Sequence, residues 1–193
     1  MGRTQSNHAT TAGPRVAFIR ARWHADIVDQ SREGFLLELA RLTNGAAEVE
    51  TFDVPGAFEI PQAASILAAS GRYDAVVALG AVIRGETPHF DYVCDAVTDG
   101  IREIIRETGV PVAFGILTTG DRQQELARAG GEVGNKGIEA AEAAIEIDRR
   151  DSERAQVIEI LLLCLVAVII GLGLVLTHRL ARRTRRLVEV ANA

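Results

Sequence analysis

The sequence predicts an α/β fold, a doubly wound parallel sheet in three αβα layers, followed by a separate C-terminal hydrophobic helix. Three observations predict it. From Arg15 to about residue 148, short apolar runs rich in valine and isoleucine alternate with longer stretches of helical spacing. Parallel strands need crossovers, which are nearly always right-handed, so such alternation reads as a sheet covered on both faces. The charge is divided: the 193 residues carry −5 in all, but residues 1–148 sum to −9 and residues 149–193 to +4. Finally, the seventeen residues Ile160–Leu176 contain no charge and no strongly polar side chain.

The elements follow in order. Met1 to Pro14 is polar, lacks the apolar run of a secretory signal, and reads as a flexible arm over 1–14. Buried strands are expected at Arg15–Ile19, Val49–Val54, Ala75–Val82 and Val112–Thr118. Helices are expected at Asp26–Leu42, Ile60–Ser70, Asp91–Thr108, Asp121–Ala129 and Asn135–Ile147. In the first of these Ile27, Phe35, Leu36, Leu39 and Leu42 share one face. A domain over 15–150 and an extension over 151–193 result.

Composition excludes several classes. With 48% hydrophobic residues the chain has a core to bury and is not a disordered one. Two cysteines, Cys94 and Cys164, make no disulfide framework and fit a reducing compartment. An acidic body does not suit sequence-independent nucleic-acid binding, so no nucleic-acid partner is expected. Neither a GxGxxG nor a Walker-type loop occurs.

Doubly wound sheets bind ligands beyond the carboxyl ends of their strands, so the loops there are the ones to examine. Trp23, the single tryptophan, follows the first strand; its indole suits stacking on a flat heterocycle, although residue type alone favours a core or interface tryptophan. After the second strand, Pro55-Gly56 marks a turn before a helix start, where Glu59 suits either a polar ligand or simply the helix dipole. After the third, Gly80 through Tyr92 brings glycine, Arg84 and Thr87 into a helix entrance of the kind that suits a phosphate. His89 follows, a side chain able to move protons near neutral pH. Arg128 near a helix C-terminus is explained by the dipole; Lys136, the one lysine, near a helix N-terminus is not.

Residues 15 to about 148 resemble lumazine synthase. The motifs are Ala21-Arg22-Trp23-His24, Val54 through Pro61, Gly80 through Tyr92, Phe114-Gly115-Ile116-Leu117-Thr118 and Gly134-Asn135-Lys136-Gly137, in the same order. The resemblance implies a flavodoxin-like sandwich in a homo-oligomer, a pentamer or multiples of it, in the cytoplasm. The implied reaction condenses 5-amino-6-ribitylaminouracil with 3,4-dihydroxy-2-butanone 4-phosphate to 6,7-dimethyl-8-ribityllumazine, phosphate and water, with no cofactor and no metal. His89 takes the proton-transfer position. Trp23 stacks on the pyrimidine; Ala57, Phe58 and Glu59 line the ribityl and pyrimidine region; Val82 and Ile83 hold the heterocycle. Gly85, Glu86 and Thr87 form the phosphate loop. Phe114, Arg128 and Lys136 complete the pocket, Phe114 and Arg128 from the neighbouring subunit. The alternative is a non-catalytic assembly or membrane-tethered scaffold that retains the fold.

The resemblance ends near residue 150. Beyond it the chain resembles a bacterial sensor's membrane span entering a HAMP-type linker, with a candidate transmembrane helix over 157–177 and a basic flank over 178–186. As a helix, Ile160–Leu176 extends about 26 Å, close to the ~30 Å hydrocarbon core. Five arginines lie within Arg179–Arg186, and the positive-inside rule would place them in the cytoplasm and the body outside. That conflicts with cytosolic chemistry, so a fused tail is the favoured reading and attachment at the cytosolic membrane face the other.

Overall fold

The computed structural model describes residues 13–191, and their side chains except at 151, 175 and 179–191. The arm expected over 1–14 lies, apart from Gly13 and Pro14, outside the described residues. Two units are distinguished, Met1–Arg149 and Arg150–Ala193.

In the first unit the chain alternates strand and helix: β1 (Arg15–Ala21), α1 (Ala25–Thr43), β2 (Glu48–Val54), a 3₁₀ turn (Ala57–Glu59), α2 (Ile60–Ala69), β3 (Ala75–Ile83), α3 (His89–Thr108), β4 (Val112–Thr119) and α4 (Arg122–Arg128). A short antiparallel ribbon, β5 (Ala129–Gly131) and β6 (Gly134–Asn135), leads into α5 (Lys136–Ala191). The four main strands are parallel, in the order β2-β1-β3-β4. Strand alternation divides the sheet's side chains between two layers. Ala17, Ile19, Val76, Ala78, Val112 and Ile116 pack with α2 and α3. Val16, Phe18, Val77, Leu79, Ala113 and Leu117 pack with α1 and the first turns of α5. Phe18 and Phe35 meet there with ring centroids 4.8 Å apart. Each buried Val, Leu, Ile or Phe among these contributes roughly 1.5–3 kcal/mol, which is why the apolar runs and the helical stripes find one another.

Strand order reverses between β1 and β3, since β1 leads to β2 on one side and β3 to β4 on the other. The crevice at that reversal lies beyond the carboxyl ends of β1 and β3. Asn135 joins α5 to this framework. Its Nδ2 donates to the carbonyls of Gln30 (3.2 Å) and Ala129 (3.1 Å), and its Oδ1 accepts the Gly137 N–H at 2.8 Å. At Gly137 a Cβ would overlap the backbone carbonyl of Ser31, so only glycine lets α5 approach α1 this closely.

Several expectations are corrected. Val49–Val54 is not a buried strand: β2 is an edge strand, and Glu48, Glu50, Thr51 and Asp53 face solvent. An edge has one neighbour to cover it, and this one has acidic residues that blunt it. The third helix starts at His89, not Asp91, because Pro88 supplies a helical φ of −62° just before it. The glycine-rich stretch 130–137 contains β5 and β6, too short for periodicity to reveal. The helix expected at Asn135–Ile147 runs on to Ala191, since nothing between Ile147 and Ile160 breaks helical geometry.

In the second unit the stretch of α5 from Ile160 to Leu176 is apolar all round. Its large side chains from Val157 to Leu176 are exposed wherever described, and an 18-residue window of mean hydropathy 3.1 has no buried residue. By length and composition this is the one helix among the described residues able to cross a membrane.

Candidate functional site

The expected site residues fall into two groups on one chain. The first surrounds the carboxyl ends of β1, β2 and β3. The Arg22 N–H donates to the Val54 carbonyl at 2.9 Å and the Trp23 N–H to the Pro55 carbonyl at 3.1 Å, which extends the β1–β2 pairing beyond the sheet. His24 then reverses the chain in the left-handed region (φ 57°, ψ 40°), a conformation costing roughly 1–2 kcal/mol for a residue with a Cβ. Its carbonyl accepts from Ile27 and Val28 and so opens α1. This turn lays the Trp23 ring against Gly56: a Cβ on Gly56 would collide with the indole. The ring is nevertheless 61% exposed, which excludes the core reading of this tryptophan.

Beside it, Ala57 is buried and Phe58 exposed on the 3₁₀ turn. The Glu59 carboxylate accepts the Gly56 N–H at 2.9 Å, so this side chain caps the start of the 3₁₀ turn that leads into α2. Val82 and Ile83 end β3 half-buried, and Gly85, Glu86, Thr87 and His89 are exposed between β3 and α3. Arg84 is not a free cation for an anion here. Its guanidinium pairs with Asp91 (2.7 and 3.3 Å) and lies 4.1 Å over the Phe90 ring, raising the Arg84 pKa and lowering that of Asp91 through their shared hydrogen bonds.

The second group lies at the outer edge of β4. A cavity of about 280 Å³ is lined by Ile116, Leu117, Thr118, Arg128, Val133, Gly134, Lys136 and Glu139. Arg128 reaches back to the Gln124 carbonyl (3.3 Å) at the end of α4, as helix-dipole reasoning requires. Lys136 pairs with Glu139 at 2.6 Å, one turn along α5, which accounts for a lysine at a helix start. Phe114, 37% exposed, is on the same edge strand. β3 separates this edge from β1, so one chain does not bring Trp23 and Arg128 to a common pocket.

A sequence profile of the 6,7-dimethyl-8-ribityllumazine synthase family matches residues 13–150. The chain belongs to the lumazine synthase family. A protein of Kineococcus radiotolerans named 6,7-dimethyl-8-ribityllumazine synthase is 52% identical over 137 residues, covering 70% of this chain and 83% of that protein. The match ends where the first unit ends, and the apolar part of α5 lies beyond it.

Within this lumazine synthase fold, the sequence located the loops of both groups, and the resemblance put Arg128 and Lys136 at one pocket with Arg128 lent by a neighbour; the structure brings the two to one cavity within a single chain. Thr118 and Glu139, which line that cavity, were not singled out. Sequence reasoning also missed Glu125. This side chain has no exposed surface, neither carboxylate oxygen has a hydrogen-bond partner among the described residues, and burial pushes its pKa up to about 7. The available signal was helical spacing, since Glu125 precedes buried Ala129 by four residues. No group of three or more His, Cys, Asp or Glu among the described residues could hold a metal ion.

Proposed function

We propose that this chain is a lumazine synthase. It condenses 5-amino-6-ribitylaminouracil with 3,4-dihydroxy-2-butanone 4-phosphate to give 6,7-dimethyl-8-ribityllumazine, phosphate and water, in riboflavin biosynthesis. The carrying observation is the family match over residues 13–150, with its motif loops at the ends of parallel strands. Trp23, packed against Gly56, stacks on the pyrimidine; Ala57, Phe58, Val82 and Ile83 line the heterocycle and its ribityl chain. Glu59 contributes through the Gly56 cap and by facing the ribityl hydroxyls. Gly85, Glu86 and Thr87 receive the phosphate together with Arg128, and Lys136 adds a second cation in the Arg128 cavity.

The chemistry joins an amine to a ketone as an imine, eliminates phosphate, and closes a ring with loss of water. His89, exposed at the first turn of α3, moves the protons. Most of the acceleration comes from holding two substrates together. Because Trp23 and Arg128 belong to separate parts of the chain, the working unit is a homo-oligomer, a pentamer or multiples of it, in which a neighbour supplies Phe114 and the cavity that holds its Arg128 together with its Lys136. Purified protein mixed with the two substrates should form the lumazine chromophore; no chromophore from correctly assembled protein would overturn the assignment.

The exposed apolar helix favours a second, compatible feature: attachment of this cytoplasmic enzyme to a membrane through 157–177. Attachment predicts that the full chain stays with membranes after a carbonate wash, while a chain ending at Arg150 does not. A full chain wholly in the soluble fraction would remove the anchor.

A further inference from the structure

Helix α4 is seven residues long and carries Arg128 into the β4-edge cavity at its last position. One turn earlier on the same helix, Glu125 points into the body of the protein with no exposed surface. Neither of its oxygens has a hydrogen-bond partner among the described residues. A carboxylate anion so placed is out of reach of bulk solvent and has no donor among the described residues, whereas a neutral carboxyl loses far less by burial.

The surroundings offer little compensation. β3, β4, β5 and β6, on which α4 packs, contain no ionisable side chain. The charges that act on Glu125 are Arg122 of its own helix and Asp26 of α1, and these two are ion-paired to each other. Asp121 is engaged in capping α4 through the Gln124 N–H at 2.8 Å, and Lys136 and Glu139 pair within the cavity. Arg122 and Asp26 act on Glu125 in opposite directions, and desolvation outweighs both.

We propose that Glu125 is a positioning residue for Arg128: its neutral carboxyl seats α4 against β4, and its ionisation unseats the helix and weakens the grip on the phosphate-bearing substrate. This rests on the assignment of Arg128 to the substrate phosphate. The seated helix is then the competent form, and its population follows protonation of a group that titrates at about pH 7. When only a fraction of the protein is competent, apparent affinity falls in proportion to that fraction.

The test compares the full-length wild type with Glu125→Gln and Glu125→Leu, both permanently uncharged at this position. In wild type the KM for the phosphorylated ketone should rise by about tenfold more than in the variants between about pH 6 and pH 8, with the KM for the aminouracil and kcat following the variants. Substrate phosphate titrates equally in all three proteins, so the comparison removes its contribution. Amide exchange of residues 122–128 provides a readout independent of turnover. The wild-type to variant ratio of exchange rates should grow by about the same factor over that pH range. Superimposed KM profiles with a constant exchange ratio would overturn the role of Glu125. If wild type makes no lumazine at any pH, the assigned reaction fails, and the exchange ratio alone decides whether Glu125 seats α4.

Discussion

The carboxyl ends of β1–β3 and the outer edge of β4 are built on opposite principles. The first is an open surface shaped by aromatic and small residues, where an exposed indole lies on a glycine and the nearby cation, Arg84, is already paired with Asp91. The second is concave and charged, with Arg128, Lys136 and Glu139 around one cavity and a buried acid on the helix behind it. A flat, uncharged ring suits the first and an anion the second. Under the proposed reaction, two substrates of those two kinds would account for both surfaces, and the separation of the surfaces on one chain is what the proposed homo-oligomer would bridge.

The sharpest way to break the comparison is to remove the anion side. Arg128→Ala should raise the KM for the phosphorylated ketone by about 10²-fold, the loss of two charge-assisted hydrogen bonds, and leave the KM for the aminouracil nearly unchanged. Steady-state kinetics with each substrate varied in turn would show equal losses if the two surfaces were not specialised. His89→Ala should lower kcat by about 10²-fold or less without abolishing turnover, since proton transfer is a modest share of the acceleration. Complete loss in a correctly assembled variant would assign His89 a larger role.

Mixing tests the pairing itself. Trp23→Ala and Arg128→Ala chains, unfolded and reassembled together in equal amounts, should regain about a quarter of wild-type sites, because each intact site needs one half from each neighbour. Activity no greater than the two variants alone would mean that both halves act within one chain. On the aromatic side, Gly56→Ala forces the Trp23 ring away, costing about 1–3 kcal/mol of stability and raising the aminouracil KM. Denaturant unfolding and kinetics on the same sample would separate the two effects.

The smallest effect concerns Glu125 and the stability of the whole first unit. A carboxyl raised from its ordinary range to about 7 binds its proton more tightly in the folded than in the unfolded chain. Its contribution is therefore fully present below about pH 4.5 and is lost as pH rises through about 7. Glu125→Leu should stabilise the protein by about 1–3 kcal/mol at pH 8 and abolish that part of the pH dependence, as read by urea unfolding between about pH 5 and pH 8.5.

Much of the fold was legible because its signals are local. Valine-rich runs such as Ala75–Val82 and the stripe of Ile27, Phe35 and Leu39 declare strand and helix within a few residues. Edge position was missed at Val49–Val54, although Glu50 and Asp53 break its apolar run where Ala75–Val82 has no charge at all. Trp23 and Glu59 show the same limit in the site. Both were located correctly in the loops, yet only the fold shows the indole lying exposed on Gly56 and the carboxylate committed to the cap.

By itself the sequence determined the parallel α/β class, the family motifs and the all-round apolar helix, because periodicity, composition and spacing are properties of contiguous residues. The tertiary structure alone decided that Lys136 shares a cavity with the Arg128 of its own chain, that Arg84 is already paired, and that a glutamate lies buried with no hydrogen-bond partner among the described residues. Those facts depend on which distant segments meet, and such meetings arise from packing the whole sheet rather than from any stretch of the chain.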